Sequence, residues 1–160
     1  MVTYVCRVGR LVEVRFGPPL TVRDIEEMGR SSRALMFQRS ERLVCAVDMR
    51  ELSGLSADVT HALLGNLQTM NSRIERAAVL LPDGSPALAQ RVDDLHREAG
   101  NPARKTFRAS SEVVRFLAET LDAQERARLV AFFDEGLVRR RSSGMIAAVT
   151  PPAIGRPRGR

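Results

Sequence analysis

Apolar residues recur along this chain with two alternating periods. "TYVCRV" and "LVEVRF" flank Gly9-Arg10, and in the second run Val12, Val14 and Phe16 alternate with Glu13 and Arg15. A period of two predicts half-buried strands, and Gly at the first loop position suits a two-residue hairpin between them. "GPPL" breaks the second strand. Thr21 with Asp24 three residues on then has the spacing of a capping box, opening a helix whose inner stripe is Ile25, Met28, Leu35 and Met36.

"LVCAVDM" is a continuous apolar run, as expected of a central strand covered on both faces. A helix should follow from near Ser56, with Val59, Leu63, Leu67 and Met70 on its inner side. "IERAAVLLP" supplies another strand. In "DGSPALAQRVDDLHREAGNP", Ser85 is placed as N-cap, Pro86 as the first helical residue, and Gly100 and Pro102 as terminators. "RKTFRA" reads as a short strand, and Ser110 or Ser111 as the cap of a helix through Val113, Val114, Leu117 and Leu121. Asp122 and Glu125 form another capping arrangement, before a helix carrying Leu129, Val130, Phe132, Phe133 and Leu137 to about Val138.

Strand and helix thus alternate four times after one lead-in strand, which favours a mostly parallel sheet. The predicted fold is α/β: a five-stranded sheet with an antiparallel N-terminal edge strand, four flanking helices, and an additional C-terminal helix. Residues 1–121 form the domain, 122–138 an amphipathic helix appended to it, and 139–160 a basic tail expected to be disordered. Phe132 and Phe133 are expected to cover the domain's own core.

Charge sharpens this division. The formal net charge is +6, yet the six arginines after Val138 have no acidic counterpart, so residues 1–138 balance at 19 basic and 19 acidic side chains. All excess charge lies in the tail, implying a flexible electrostatic tether and no shaped basic face. Arginine outnumbers lysine 24 to 1, a bias given no functional weight. No run reaches the roughly 18 apolar residues of a membrane span. "MVTYVCRVGR" also lacks the apolar core of a secretory signal, so a cytoplasmic location is expected.

Candidate chemistry is sparse. Cys6 and Cys45 lie in separate apolar runs and read as reduced core residues, and His61 and His96 stand alone on helical segments. No metal site, no cofactor and no enzymatic activity are expected, since no phosphate loop, dinucleotide fingerprint or nucleophile elbow is present. Asp48, Arg50 and Glu51, beside a strand end, are the first place to look for catalysis; their simpler reading is strand termination and loop solubility.

Taken in order, "GRLVEVRFGPPLT", "LVCAVDMRELSG", "IERAAVLLPDGSPALAQRV" and "REAGNPARKTFRASSEVVRFL" resemble the STAS-like and SEC14-like group, the fold of the anti-sigma-factor antagonists, in its bacterial single-domain form. The resemblance covers about residues 3–121. It implies regulation by binding another protein through the loop after the central strand, where those antagonists carry an Asp-Ser pair whose serine is phosphorylated. Laid on that pattern, Ser56 stands at the Asp position and Ala57 at the serine position, so Ser56 or Ser53 serves as acceptor only with a shifted register. The alternative role of Ser56 is a helix N-cap.

The implied partner-binding residues are Leu52, Ser53, Leu55, Ser56 and Asp58. Two other functions stay open. "GRPRGR" resembles the core of an AT-hook, with Arg156, Arg158 and Arg160 placed for a narrow minor groove. SEC14-like analogy also implies a small apolar ligand. A protein partner is expected, with a homodimer and weak nucleic-acid contact as further candidates.

Overall fold

The computed structural model describes residues 1–147, and side-chain surroundings through Val138. Five strands form one sheet in the order β1-β2-β3-β4-β5: β1 Val2–Val8, β2 Leu11–Phe16, β3 Leu43–Asp48, β4 Ile74–Leu80 and β5 Arg104–Phe107. β1 pairs antiparallel with β2 through the predicted hairpin, and every other pairing is parallel. The helices are α1 Val22–Gln38, α2 Ala57–Met70, α3 Pro86–Ala99, α4 Ser110–Ala118 and α5 Ala123–Ala147.

The strand order decides where the helices go. From β2 to β5 the chain steps one strand at a time in one direction, and right-handed crossovers then put all three connecting helices on the same face. Ile25 and Met28 of α1, Val59 and Leu63 of α2, and Leu88, Val92 and Leu95 of α3 accordingly pack on Val12, Val14, Cys45, Ala77 and Val79. The opposite face is left to α4 and α5. Val113, Leu117, Leu129, Phe132 and Phe133 cover Leu11, Val44, Ala46, Ala78 and Leu80 there, so Phe132 and Phe133 do bury against the domain's own sheet.

Local signals set several boundaries. Thr21 accepts from the Asp24 N–H at 3.2 Å while Asp24 accepts from the Thr21 N–H at 2.9 Å, completing the capping box. Asp122 and Glu125 exchange the same pair of bonds, at 2.8 and 3.0 Å. Glu125 also accepts from the Arg10 N–H at 2.7 Å, tying the start of α5 to the hairpin. A Cβ at Gly9, which has φ +51°, would run into that carboxylate.

Other expectations need correction. Ser85 precedes Pro86 as placed, but its side chain makes no capping bond. Ala109 is the N-cap of α4, and Ser110 is already helical. Residues 139–147, expected in the tail, continue α5; Arg139–Arg141 are good helix formers, and no proline stands between Pro102 and Pro151. Cys6 is only half-buried, whereas Cys45 is buried, and both are free thiols. Gly155–Arg160, with Arg156, Arg158 and Arg160, lies outside the described residues. No helix among the described residues is long and apolar enough to cross a membrane.

The arginine excess has a structural use. Arg10 and Arg76 donate to the Thr120 and Phe116 carbonyls at the end of α4, Arg73 to the Arg39 and Glu41 carbonyls beyond α1, and Arg104 to the Leu67 carbonyl in the last turn of α2. Helix C-termini carry unpaired carbonyls and partial negative charge, which guanidinium donors satisfy.

Candidate functional site

The loop after β3 is pinned at both ends. On the strand side, the Met49 N–H continues the ladder to the Leu80 carbonyl at 2.9 Å, and the Leu52 N–H closes a turn on the Met49 carbonyl at 3.0 Å. Asp48 accepts from the Arg50 backbone N–H at 3.1 Å and, with its two oxygens, from Arg50 Nε at 2.9 Å and Nη2 at 2.8 Å. On the helix side, Ser56 Oγ accepts from the Val59 N–H at 3.3 Å, the N-cap geometry, and the Thr60 hydroxyl donates to the Ser56 carbonyl at 2.8 Å. Replacing Ser56 with alanine removes that cap and is expected to lower stability by about 0.5–2 kcal/mol in a denaturant titration.

Between these anchors Glu51, Ser53, Gly54, Ser56, Ala57 and Asp58 face solvent. Leu55 is half-buried against the core. Leu52 corrects the expectation that it meets a partner: only 5% exposed, it is a core residue of the face covered by α1–α3. A short loop running from one buried strand into a helix needs an inward apolar anchor, and Leu52 supplies it. The presented surface is therefore Ser53, Ser56 and Asp58, with Leu55 at its apolar margin.

That surface continues where sequence reasoning did not look. A groove of about 690 Å³ separates α1 from α2; Asp58 and His61 line its α2 side, facing Glu26, Arg30 and Arg33 on α1. The signal in the sequence is only that these charged residues fall off the Ile25–Met28–Leu35 stripe, which says they are outside, not what they border. Among the described residues no three His, Cys, Asp or Glu side chains come together as metal ligands.

Asp48 and Arg50 are not solvating loop residues. They are 4% and 9% exposed, beneath α5. Arg50 Nη2 also donates to the Phe133 carbonyl at 3.2 Å, and Arg15 Nη2 to the Phe132 carbonyl at 2.7 Å, each guanidinium lying over the ring of the same phenylalanine at 5.9 and 4.6 Å. Arg15 Nε stands 3.5 Å from Asp48 Oδ2. Burial by itself raises the Asp48 pKa, but the bonds and charge of Arg50, then the charge of Arg15, outweigh it and hold the carboxyl below its ordinary value. Gly136 completes the fit, since a Cβ there would sit 2.6 Å from Arg50 Nη2 and 2.8 Å from Asp48 Oδ2. Any larger residue there would push the Arg50 and Asp48 side chains aside.

A second buried pair explains β2. Glu13, read as the polar side of a half-buried strand, is 3% exposed. It accepts from Arg128 Nε and Nη2 at 2.6 and 2.7 Å, while Arg128 Nη1 reaches Glu135 at 2.6 Å. Helix α5 thus docks on the sheet through the Glu13–Arg128 ion pair and the Arg15 and Arg50 bonds to its Phe132 and Phe133 carbonyls, together with the apolar contacts of Leu129, Phe132 and Phe133.

Neither a family model nor a curated protein matches the chain. Among solved structures, the anti-sigma factor antagonist SpoIIAA in its unphosphorylated form resembles it with a TM-score of 0.51 at 14% sequence identity, over 76% of this chain and 100% of that one. At that identity the likeness speaks for the backbone arrangement alone. The mixed sheet, its antiparallel first strand and its helices are a STAS-like fold, that of the anti-sigma-factor antagonists.

Proposed function

We propose that this chain is a regulatory docking module that binds another protein through the strand-to-helix loop after β3, presenting Ser53, Ser56 and Asp58, with Leu55 at the margin and the α1–α2 groove as the continuation of the surface. One observation carries the reading: the loop's polar apex is exposed while both its ends are fixed, by Asp48–Arg50 on one side and by Leu52 and the Ser56 cap on the other. A surface already ordered loses little conformational entropy on association. The structural neighbour, an antagonist of an anti-sigma factor, is a protein whose role is exerted on another protein.

In this reading Ser56 works as a cap and not as a phosphate acceptor. Its oxygen is already engaged by the Val59 N–H, and Asp58 in the first turn would oppose a second negative group despite the favourable helix terminus. Protein purified from its native host should show no added phosphate by intact-mass analysis; a stoichiometric phosphate mapped to Ser53 or Ser56 would turn the loop into a switch.

Docking is tested by the double variant Ser53→Arg, Asp58→Lys. Both positions are exposed, and a lysine in place of Asp58 would oppose the dipole of α2 in its first turn, so stability should fall by no more than about 1–2 kcal/mol. A partner crosslinked and co-purified with the parent chain should be lost from the variant and kept by Glu98→Lys, an exposed change on α3. Undiminished capture by the double variant would exclude this loop.

A further inference from the structure

A cavity of about 80 Å³ lies between the sheet and helices α1–α3, on the face away from α5. Its lining includes a residue from each strand: Tyr4 on β1, Val14 on β2, Val47 on β3, Val79 on β4 and Arg104 on β5. Its walls are apolar; polar groups mark its extremities. At the β1 edge the Tyr4 hydroxyl is buried, with the Ser32 hydroxyl, itself donating to the Met28 carbonyl at 2.8 Å, as its polar neighbour. At the β5 edge stand Arg104 and His96, and the same two residues line a surface depression of about 370 Å³ formed with Arg97, Gly100, Asn101 and Pro102. They therefore separate the inner space from the outside.

Arg104 is the unusual member. It is 6% exposed. Its guanidinium donates to Asn71 Oδ1 at 2.7 Å and to the Leu67 carbonyl at 3.0 Å, both neutral acceptors, and no described carboxylate forms an ion pair with it. Asp93, whose charge reaches His96, accepts instead from the Thr106 hydroxyl at 2.8 Å. A buried cation without a counter-charge is costly, and an arriving anion relieves that cost. His96 adds no competing charge at neutral pH, because burial and then Arg104 push its pKa down to about 4.

We propose that this cavity binds a small amphipathic carboxylate, its anionic head paired with Arg104 at the His96 opening and its hydrocarbon chain in the slot beneath the sheet. With a water molecule or a methylene occupying about 30 Å³ of liquid, the space accepts a chain of about three carbons. The same slot is lined by Met49 and by Leu63 and Leu67 of α2, directly behind the loop after β3. This site is separate from the docking surface, and either assignment stands without the other.

The experiment is a titration of the full chain with sodium propanoate and butanoate, followed by the ring resonances of its two histidines. His96 reports the site, and the exposed His61 is the internal reference. The His96 signal should move saturably below about 10 mM, the range suited to so few ligand atoms, with His61 unchanged. The alcohols of equal length should bind about tenfold more weakly, lacking the charge-assisted bond. Arg104→Gln should abolish the carboxylate preference. Since Arg104 also holds the end of α2, Ala77→Leu provides an independent check, filling the slot while leaving Arg104 in place; it should keep a cooperative unfolding transition and lose the shift. Absence of a saturable His96 shift, equal binding of alcohol and carboxylate, or the same shift produced by inorganic phosphate would each overturn the proposal.

Discussion

Asp48→Ala is expected to lower the unfolding free energy by about 3–5 kcal/mol, the usual cost of removing one partner of a buried ion pair. The variant leaves Arg15 and Arg50 enclosed under α5 with no carboxylate between them, and their remaining bonds go to the Phe132 and Phe133 carbonyls. A domain of this size is stable by only about 5–15 kcal/mol, so the loss should appear as a drop in Tm of roughly 10 °C or more. Double replacement with Arg50→Met should cost less than Asp48→Ala alone, because an apolar pair strands fewer charges. Equal stability of parent and Asp48→Ala would show that α5 does not need this cluster.

The same carboxylate predicts a pH dependence. Its folded pKa is depressed, so its contribution is fully present above the unfolded value of about 3.9 and fades as pH falls through the folded value. Acid titrations of stability should therefore be steeper for the parent than for Asp48→Ala below about pH 4, and the two curves should converge as the parent loses the contribution the variant never had.

Phe133→Ala should cost about 3–5 kcal/mol in chemical denaturation, since Phe133 is 1% exposed and its ring fills the seam between α5 and the β2–β3 face. The ring also packs edge-on against Phe132, with centroids 4.9 Å apart, and carries Arg50 over its face, so both contacts go with it. Backbone amides of α5 should gain hydrogen exchange ahead of those of β3 and β4, which keep partners on both sides. Uniformly faster exchange across the sheet would mean instead that α5 and the rest of the domain open together.

What could be read in advance follows the range of the interaction responsible. The Thr21–Asp24 box, the Ser56 cap and the Asp122–Glu125 exchange close within three residues, and each stands where the spacing put it. Ser85 and Ser110 show the limit of that reasoning: residue type nominates a cap, but the backbone angles decide whether the hydroxyl reaches an N–H. The candidate loop was legible in position, though not in which side chains it presents. Leu52 and Leu55 look alike in "RELSGLS", and only packing into the core of the α1–α3 face sends one fully inside.

Helix α5 marks the boundary between the two kinds of knowledge. Apolar periodicity and local capping were enough to determine the alternation of strand and helix and the antiparallel lead-in hairpin, which depend on neighbours a few residues apart; the mostly parallel sheet followed from that alternation, since a helix between two strands returns the chain to a parallel pairing. That Glu13, Asp48 and Arg50 are interior, that Gly136 lies against the Asp48–Arg50 ion pair, and that Arg104 sits beside a cavity without a carboxylate partner were decided by the tertiary structure alone. Those facts depend on contacts across as many as 115 residues of chain, and a charged residue in a strand carries no mark of whether a distant helix will cover it.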